Sequence, residues 1–320
     1  MEPIKLIPTC KDYIWGGNLL RTRYNKVSDK DIIAESWELS CHKDGPSVVA
    51  DGKHAGKTLI EYLESEGPKV LGTRCGRFKE FPIMIKLIDA KNDLSIQVHP
   101  DDEYALKNEG GYGKTEMWYV LDCEEDASLI YGFRQPISRE EFAKRIKENT
   151  LMEVVNKVPV KKGDVFFIEA GTLHAVGKGI VLAEVQQSSN LTYRVYDYGR
   201  LGADNKPREL HIDKAIDVTN LNPPARRPGA HGQPEEKEGF TSTLLAECEY
   251  FHTEAVEVRT KAAFEVNDES FVSIICLEED TTLAYKNGTM DIKKGDSVFL
   301  PAGMGRYEIL QPCRLLVTRI

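Results

Sequence analysis

The chain has 320 residues, 41% hydrophobic and 29% charged. That is enough apolar matter for real cores and too much for a disordered chain, and the length suits two globular modules. With 42 Lys and Arg against 51 Asp and Glu, the formal net charge is −9. This excludes a general binder of nucleic acid or of anionic membranes, both of which need a basic face, but not a small anion held by a few local cations.

The opening MEPIKLIPTCKDYIWGG lacks a basic stretch followed by a long apolar run, so no secretory signal is read. The longest apolar runs, at 81–85 and 271–277, fall far short of the roughly 20 residues of a membrane helix. Seven cysteines stand at 10, 41, 75, 123, 248, 276 and 313, with no two closer in the chain than Cys248 and Cys276. No CxxC pair is possible, and the odd count argues against a disulfide framework. The expectation is a cytoplasmic protein with reduced thiols, a monomer or small homo-oligomer, with no nucleic-acid or membrane partner.

Along the chain, Thr58 and Glu61 form an S/T-x-x-E capping box that opens a helix over TLIEYLESEG. The runs IMIKLI (83–88), SIQV (95–98), MWYVL (117–121) and SLIYGF (128–133) are predicted strands, rich in β-branched and aromatic residues. A second box, Ser138 and Glu141, opens a helix over SREEFAKRIKEN in which Phe142 and Ile146 share a face. DVFFI (164–168) and VLAEVQ (181–186) are further strands, and a short helix is predicted over about 211–218. The Pro-, Gly- and charge-rich stretch NPPARRPGAHGQPEEKEG (222–239) marks the module boundary. This gives a first module over 1–222, a linker or long loop over 223–239, and a second module over 240–320. The second is almost wholly β, with Asn287-Gly288 predicted as a two-residue hairpin turn at positive φ. Many short strands with few helices favour a barrel or sandwich of the jelly-roll kind.

An internal repeat sharpens this reading. KKGDVFFIEAGTLH (161–174) returns as KKGDSVFLPAGMGR (293–306), with the Lys-Lys-Gly-Asp turn, the apolar strand and the Ala-Gly pair all in one register. The first His, His174, falls opposite Arg306. Two copies of one β-module, the second without its His, is the economical reading. Arg306, a permanent cation, is expected to keep a metal ion out of the second module. The copies differ in the connection before the repeated turn. Gly288 runs almost directly to Gly295, whereas a long excursion separates Gly132 from Gly163. The helix beginning at Ser138 fills that excursion, either as a lid over the cavity mouth or as a plain surface helix.

Three residues belong with His174. Gln97 and His99 are two apart in a strand-like segment, so their side chains share a face. Glu116 opens the next apolar strand after His99. Two imidazoles and two oxygen donors from three strands suit Zn²⁺ or another first-row divalent ion. Singly, each is more often a core or surface side chain; together with the second cupin motif, Gly163…Gly171-x2-His174, they form a set. The fold class is therefore mainly β with added α: two cupin-type (jelly-roll) β-barrel modules plus short helices.

These residues resemble a known family. QVHPDD (97–102), GKTEMWY (113–119), AGTLHA (170–175), EVQQSSNLTYRVYDYGR (184–200) and RELHIDKA (208–215), with YIWGG (13–17) and ESWELS (35–40), are similar to type I phosphomannose isomerases (mannose-6-phosphate isomerases) in their short bacterial form. The resemblance implies a metal, usually zinc, on Gln97, His99, Glu116 and His174, and an essential arginine at Arg194. It implies interconversion of D-mannose 6-phosphate and D-fructose 6-phosphate, with a sugar phosphate as the partner. The segment 117–173, between the last two ligands, is too short for the large helical insertion of the long members.

The chemistry fits these residue types. Aldose–ketose isomerisation passes through an enediolate, whose charge a divalent ion stabilises as a Lewis acid. A nearby arginine offers a fixed fork of donors to an oxyanion or phosphate. Lys114 shares the strand face of Glu116 and reads as a substrate contact or as a solvated turn lysine. Glu184, on a strand bordering the cavity, reads equally as a site residue or an edge charge. Ser95 opens the ligand segment and is a candidate substrate contact. Trp15 is another, or else a core cap beside Gly16-Gly17. Asp101 and Asp102 read as turn acids, and the remaining histidines receive no role. The competing functions are a metal cupin of another reaction type, such as a dioxygenase, and a non-enzymatic sugar-responsive module. The first leaves Lys114 and Arg194 without a purpose; the second would fit better had SSNLTYR been lost.

Overall fold

The computed structural model describes residues 1–202 and 205–320. Among the described residues the strands form four open sheets of eight, six, five and four strands, none closed into a barrel. Each module is a pair of sheets face to face, the flattened form of a jelly roll. The six-stranded sheet runs Val165–Ile168, Glu116–Cys123, Ile180–Gln187, Ile83–Ala90, Glu35–Leu39, Thr9–Lys11. Facing it is the five-stranded sheet Tyr193–Tyr196, Ile96–Val98, His174–Ala175, Ser128–Phe133, Val155–Pro159.

The central strands explain the stacking. Every residue of Ile83–Ala90 and of Ile180–Gln187 is buried, so both faces of that sheet are covered. Ile83, Ile85, Leu87, Val181, Ala183 and Val185 turn outward into a core shared with Ile275, Phe299 and Leu316 of the eight-stranded sheet and with Phe271 just ahead of one of its strands. Ile88, Trp118, Val120 and Leu182 turn inward and pack with Leu129 and Tyr131 of the five-stranded sheet. The modules thus join sheet to sheet, and each buried Ile or Leu at that seam contributes on the order of 1.5–3 kcal/mol. The four-stranded sheet closes the far side of the second module over Ile274, Leu283, Val298 and Ile309.

Strands Ile4–Ile7 and Val48–Val49, from the segment read as the first module, extend the eight-stranded sheet beside Ser297–Leu300. At its other edge Glu235–Lys237, inside the stretch read as a linker, pairs with Phe240–Glu247. Lys26 crosses the seam too: its buried ammonium pairs with Glu38 at 2.7 Å and donates to the carbonyl of Gly295.

The repeat extends to individual hydrogen bonds. In each copy the lysine backbone N–H donates 2.9 Å to the aspartate carboxylate, Lys161 to Asp164 and Lys293 to Asp296. Gly163 and Gly295 both sit at φ near +90°, where only glycine is unstrained. The likeness continues through the buried strands Val165–Ile168 and Ser297–Leu300 and the turns at Gly171 and Gly303, and ends at the histidine position. Arg306 points outward, its side chain 74% exposed and bonded to Glu308 at 3.0 Å; Tyr307 fills the interior instead. The expected repulsion by Arg306 is therefore corrected: the second module's interior is an apolar core, and the arginine lies outside it.

Helix Leu59–Glu66 has the full capping box of Thr58 and Glu61. Helix Arg139–Lys147 is capped by Ser138 through the Glu141 N–H. Its Phe142 is fully buried against Phe133, on the outer face of the five-stranded sheet, alongside Leu151 and Ala215. No residue of 134–157 lines the cavity described below, so of the two readings the packed outer helix is the one the structure adopts. The predicted hairpin forms one residue early: Tyr285 pairs with Gly288, leaving Lys286-Asn287 as the turn, and neither has positive φ. All seven cysteines are free thiols. Among the described residues, no helix is long and apolar enough to cross a membrane.

Candidate active site

Cross-strand register aligns the site. On the five-stranded sheet Arg194 pairs with Gln97, and Gln97 with His174, so three of the candidate side chains stand in one row. On the facing sheet Trp118, Glu184, Lys86 and Trp37 form a second row across four strands, and Glu116 pairs with Gln186. The rows meet across the sandwich, where the Trp118 and His174 rings pack edge to face with centroids 5.3 Å apart.

His99, Glu116 and His174 are fully buried, with one ligand atom from each lying within 4.8 Å of the others. The His174 Nε2 is 3.2 Å from the His99 Nε2, 3.4 Å from a Glu116 oxygen and 3.4 Å from the Gln97 amide nitrogen. Each histidine donates its Nδ1–H to a backbone carbonyl, His99 to Leu191 and His174 to Thr172, both at 2.8 Å. That fixes the tautomer and turns both Nε2 lone pairs toward the common point. Glu116 Oε1 is buried without a hydrogen-bond partner among the described residues, an orphan acceptor that a cation would satisfy. The donor set fits a divalent ion such as zinc.

Electrostatics agree. Burial, aided by the Lys114 charge, pushes His99 well below the usual histidine range. Burial drives His174 down to about 4, so both imidazoles are neutral and available as ligands at neutral pH. Burial and then the Glu184 charge raise Glu116 to about 7. For Glu184 burial also raises, but Lys114 and Lys86 outweigh it and hold the carboxyl at about 2.

Above the cluster opens a cavity of about 270 Å³, reached by Gln97 and by all five of Arg194, Lys114, Glu184, Ser95 and Trp15. Lys114 is buried; its ammonium contacts Glu116, sits 3.4 Å from His99 Nε2 and 3.4 Å from Glu184. The solvated-lysine reading is excluded. Glu184 also takes the Trp118 N–H at 2.9 Å and lies 3.4 Å from Lys86, so it is no edge charge. Trp15 is both wall and core, 4% exposed and packed in the inner cluster. Arg194 donates to the Glu209 carbonyl at 2.8 Å, while its buried Nε has no partner among the described residues.

Lys86, Glu35 and Arg208 also line the cavity and were missed from sequence. Lys86 carried a signal, a charge in the middle of IMIKLI, where a strand covered on both faces has no solvent to offer it. Glu35 accepts from Trp37 at 2.7 Å and faces Lys86 at 3.6 Å. Arg208 grips Asp197 through two nitrogens, at 2.7 and 2.5 Å.

Fold and site together define a cupin enzyme with a buried His–Glu–His donor cluster beneath a cationic cavity. The comparisons narrow the class. Residues 4–125 match the phosphomannose isomerase type I catalytic domain and residues 241–320 the mannose-6-phosphate isomerase cupin domain. The chain is 37% identical to mannose-6-phosphate isomerase ManA of Bacillus subtilis, covering 96% of each, and 36% identical to the Streptococcus mutans mannose-6-phosphate isomerase, covering 94% of this chain and 92% of that one. A crystal structure of mannose 6-phosphate isomerase from Bacillus subtilis superposes with a TM-score of 0.92, at 39% identity over the whole of both chains. The chain belongs to the type I mannose-6-phosphate isomerase family.

Proposed function

We propose that this enzyme interconverts D-mannose 6-phosphate and D-fructose 6-phosphate using one zinc ion held by Gln97, His99, Glu116 and His174. The observation that carries the reading is the convergence of the two imidazole Nε2 atoms with a Glu116 oxygen that has no hydrogen-bond partner among the described residues, beneath a cavity lined by the cations Lys86, Lys114, Arg194 and Arg208. Zinc supplies Lewis-acid stabilisation of negative charge on the sugar oxygens.

The remaining steps belong to this chain's own groups. Arg194, with its spare buried donor, binds the phosphate or a developing oxyanion. Arg208 adds charge but keeps its fork on Asp197. Lys114 and Lys86 bring two ammonium groups to the cavity base, and Glu184 holds both in place. Trp15 and Ser95 shape the wall that orients the sugar and limits water. A phosphorylated sugar substrate and seven free thiols support a cytoplasmic location. The test is a coupled assay with mannose 6-phosphate, before and after chelation and after zinc is restored. Full activity in a protein proven metal-free overturns the metal assignment; no turnover in the zinc-loaded protein overturns the reaction.

A further inference from the structure

Asp102, read from sequence as a turn acid, makes contacts that a turn does not need. Its neighbour Asp101 caps helix Asp102–Asn108 through the Tyr104 N–H at 2.8 Å. Asp102 does something else. Its Oδ1 accepts from the backbone N–H of Gly113 at 2.7 Å and from the Gln187 side-chain amide at 2.9 Å. Its Oδ2 accepts from the hydroxyl of Tyr250, far along the chain in the second module, at 2.9 Å.

Gly113 and Gln187 lead directly to the site. Gly113 precedes Lys114, and a β-carbon there would lie 2.4–2.6 Å from the backbone of 100–102, so the segment is pressed flat against the Asp102 turn. The amide oxygen of Gln187 accepts from Thr115 N–H at 2.7 Å, and the Gln187 N–H donates to the Thr115 carbonyl at 3.0 Å. The stretch carrying Lys114 and Glu116 is thus held on both sides by groups that converge on one carboxylate. A charged acceptor makes these bonds stronger than neutral ones.

We propose that Tyr250 is a positioning residue for the active site, acting through Asp102 to fix the 113–116 segment and with it the Lys114 ammonium and the Glu116 carboxylate. The inference rests on the isomerase reading of that site. It gives the second module a part in catalysis: besides covering apolar surface, it locks a loop whose displacement by about an ångström costs up to about 100-fold in rate. Tyr250 suits the task. Its ring rests against Phe78, with centroids 6.3 Å apart, so the hydroxyl is aimed by packing. Burial and the Asp102 contact raise its pKa, which keeps the phenol a donor.

The test uses the full zinc-loaded chain with Tyr250→Phe, which removes the hydroxyl and leaves the ring. Zinc affinity of the metal-stripped protein should fall about 10-fold, as for other groups that orient a ligand from behind, with the melting temperature little changed. With mannose 6-phosphate, kcat should fall about 10-fold while KM moves less than about 2-fold. Asp102→Ala should fall further, and adding Tyr250→Phe to it should change neither readout again, because the hydroxyl acts only through that carboxylate. Unchanged zinc affinity and kcat in Tyr250→Phe overturn the proposal, as do independent effects in the double variant. A parent without turnover strikes the isomerase reading instead, and the zinc measurement still decides the positioning role.

Discussion

The Nε2 atoms of His99 and His174 lie 3.2 Å apart, and because each ring donates its Nδ1–H to a carbonyl, neither neutral ring carries a hydrogen between them. The Lys114 ammonium and the Gln97 amide nitrogen reach one lone pair each, at 3.4 Å, and only a cation between the rings satisfies both at once. Removing one imidazole should therefore abolish tight binding rather than weaken it slightly. Purified parent protein is expected to hold about one divalent ion per chain, and His99→Ala or His174→Ala to lose it. Elemental analysis after gel filtration checks this; full metal in both variants would sink the ligand assignment.

The same burial predicts a pH signature in the metal-free protein. His174 is held at about 4 by burial, against about 6.5 when unfolded. A depressed pKa contributes stability that is present above about pH 6.5 and is lost as the pH falls toward 4, because the unfolded chain takes up the proton first. Parent stability should drop by about 3 kcal/mol relative to metal-free His174→Gln across that window. Urea unfolding of both proteins from neutral pH down through that window reads the difference. Parallel curves would contradict it.

Arg194→Lys keeps the charge at the cavity wall but loses the planar fork. We expect kcat/KM for mannose 6-phosphate to fall about 100-fold, with zinc content and melting temperature retained. A variant within about 2-fold of the parent would remove Arg194 from the site.

Phe142 separates support from catalysis. Its ring is fully buried against Phe133 and is not among the residues that line the cavity, so Phe142→Ala should cost about 3–5 kcal/mol. The folded fraction should keep the parental kcat and release no inorganic phosphate from substrate. A stable Phe142→Ala protein with lowered turnover would restore a lid role to that helix.

Lys114 and Lys86 show where reading a sequence stops. Lys114 was within reach because Gly-Lys-Thr-Glu places it two positions before Glu116, just ahead of the strand that Glu116 opens, and period-two geometry in extended backbone follows from the chain alone. For Lys86 the charge inside IMIKLI was visible but its setting was hidden: its partners Glu35 and Glu184 lie on two other strands, far off in the chain to either side, and only strand pairing brings them together. Arg306 shows the converse, since the repeat aligned it with His174 while in the folded chain it faces solvent and Tyr307 takes the inward place.

What the sequence determined by itself was local or repeated: the caps at Thr58 and Ser138, the turns of the two KKGD copies, and the candidate donor residues with their strand spacing. These depend on contacts within a few residues, where period and stereochemistry suffice. The tertiary structure alone decided the rest. It set the row Arg194–Gln97–His174, the burial of Lys114 and Lys86, the outward place of the 139–147 helix, and the reach of Tyr250 to Asp102. Each joins residues far apart in the chain through sheet register and sheet stacking. Register follows from which apolar faces find cover, a property of the whole packed chain rather than of any segment.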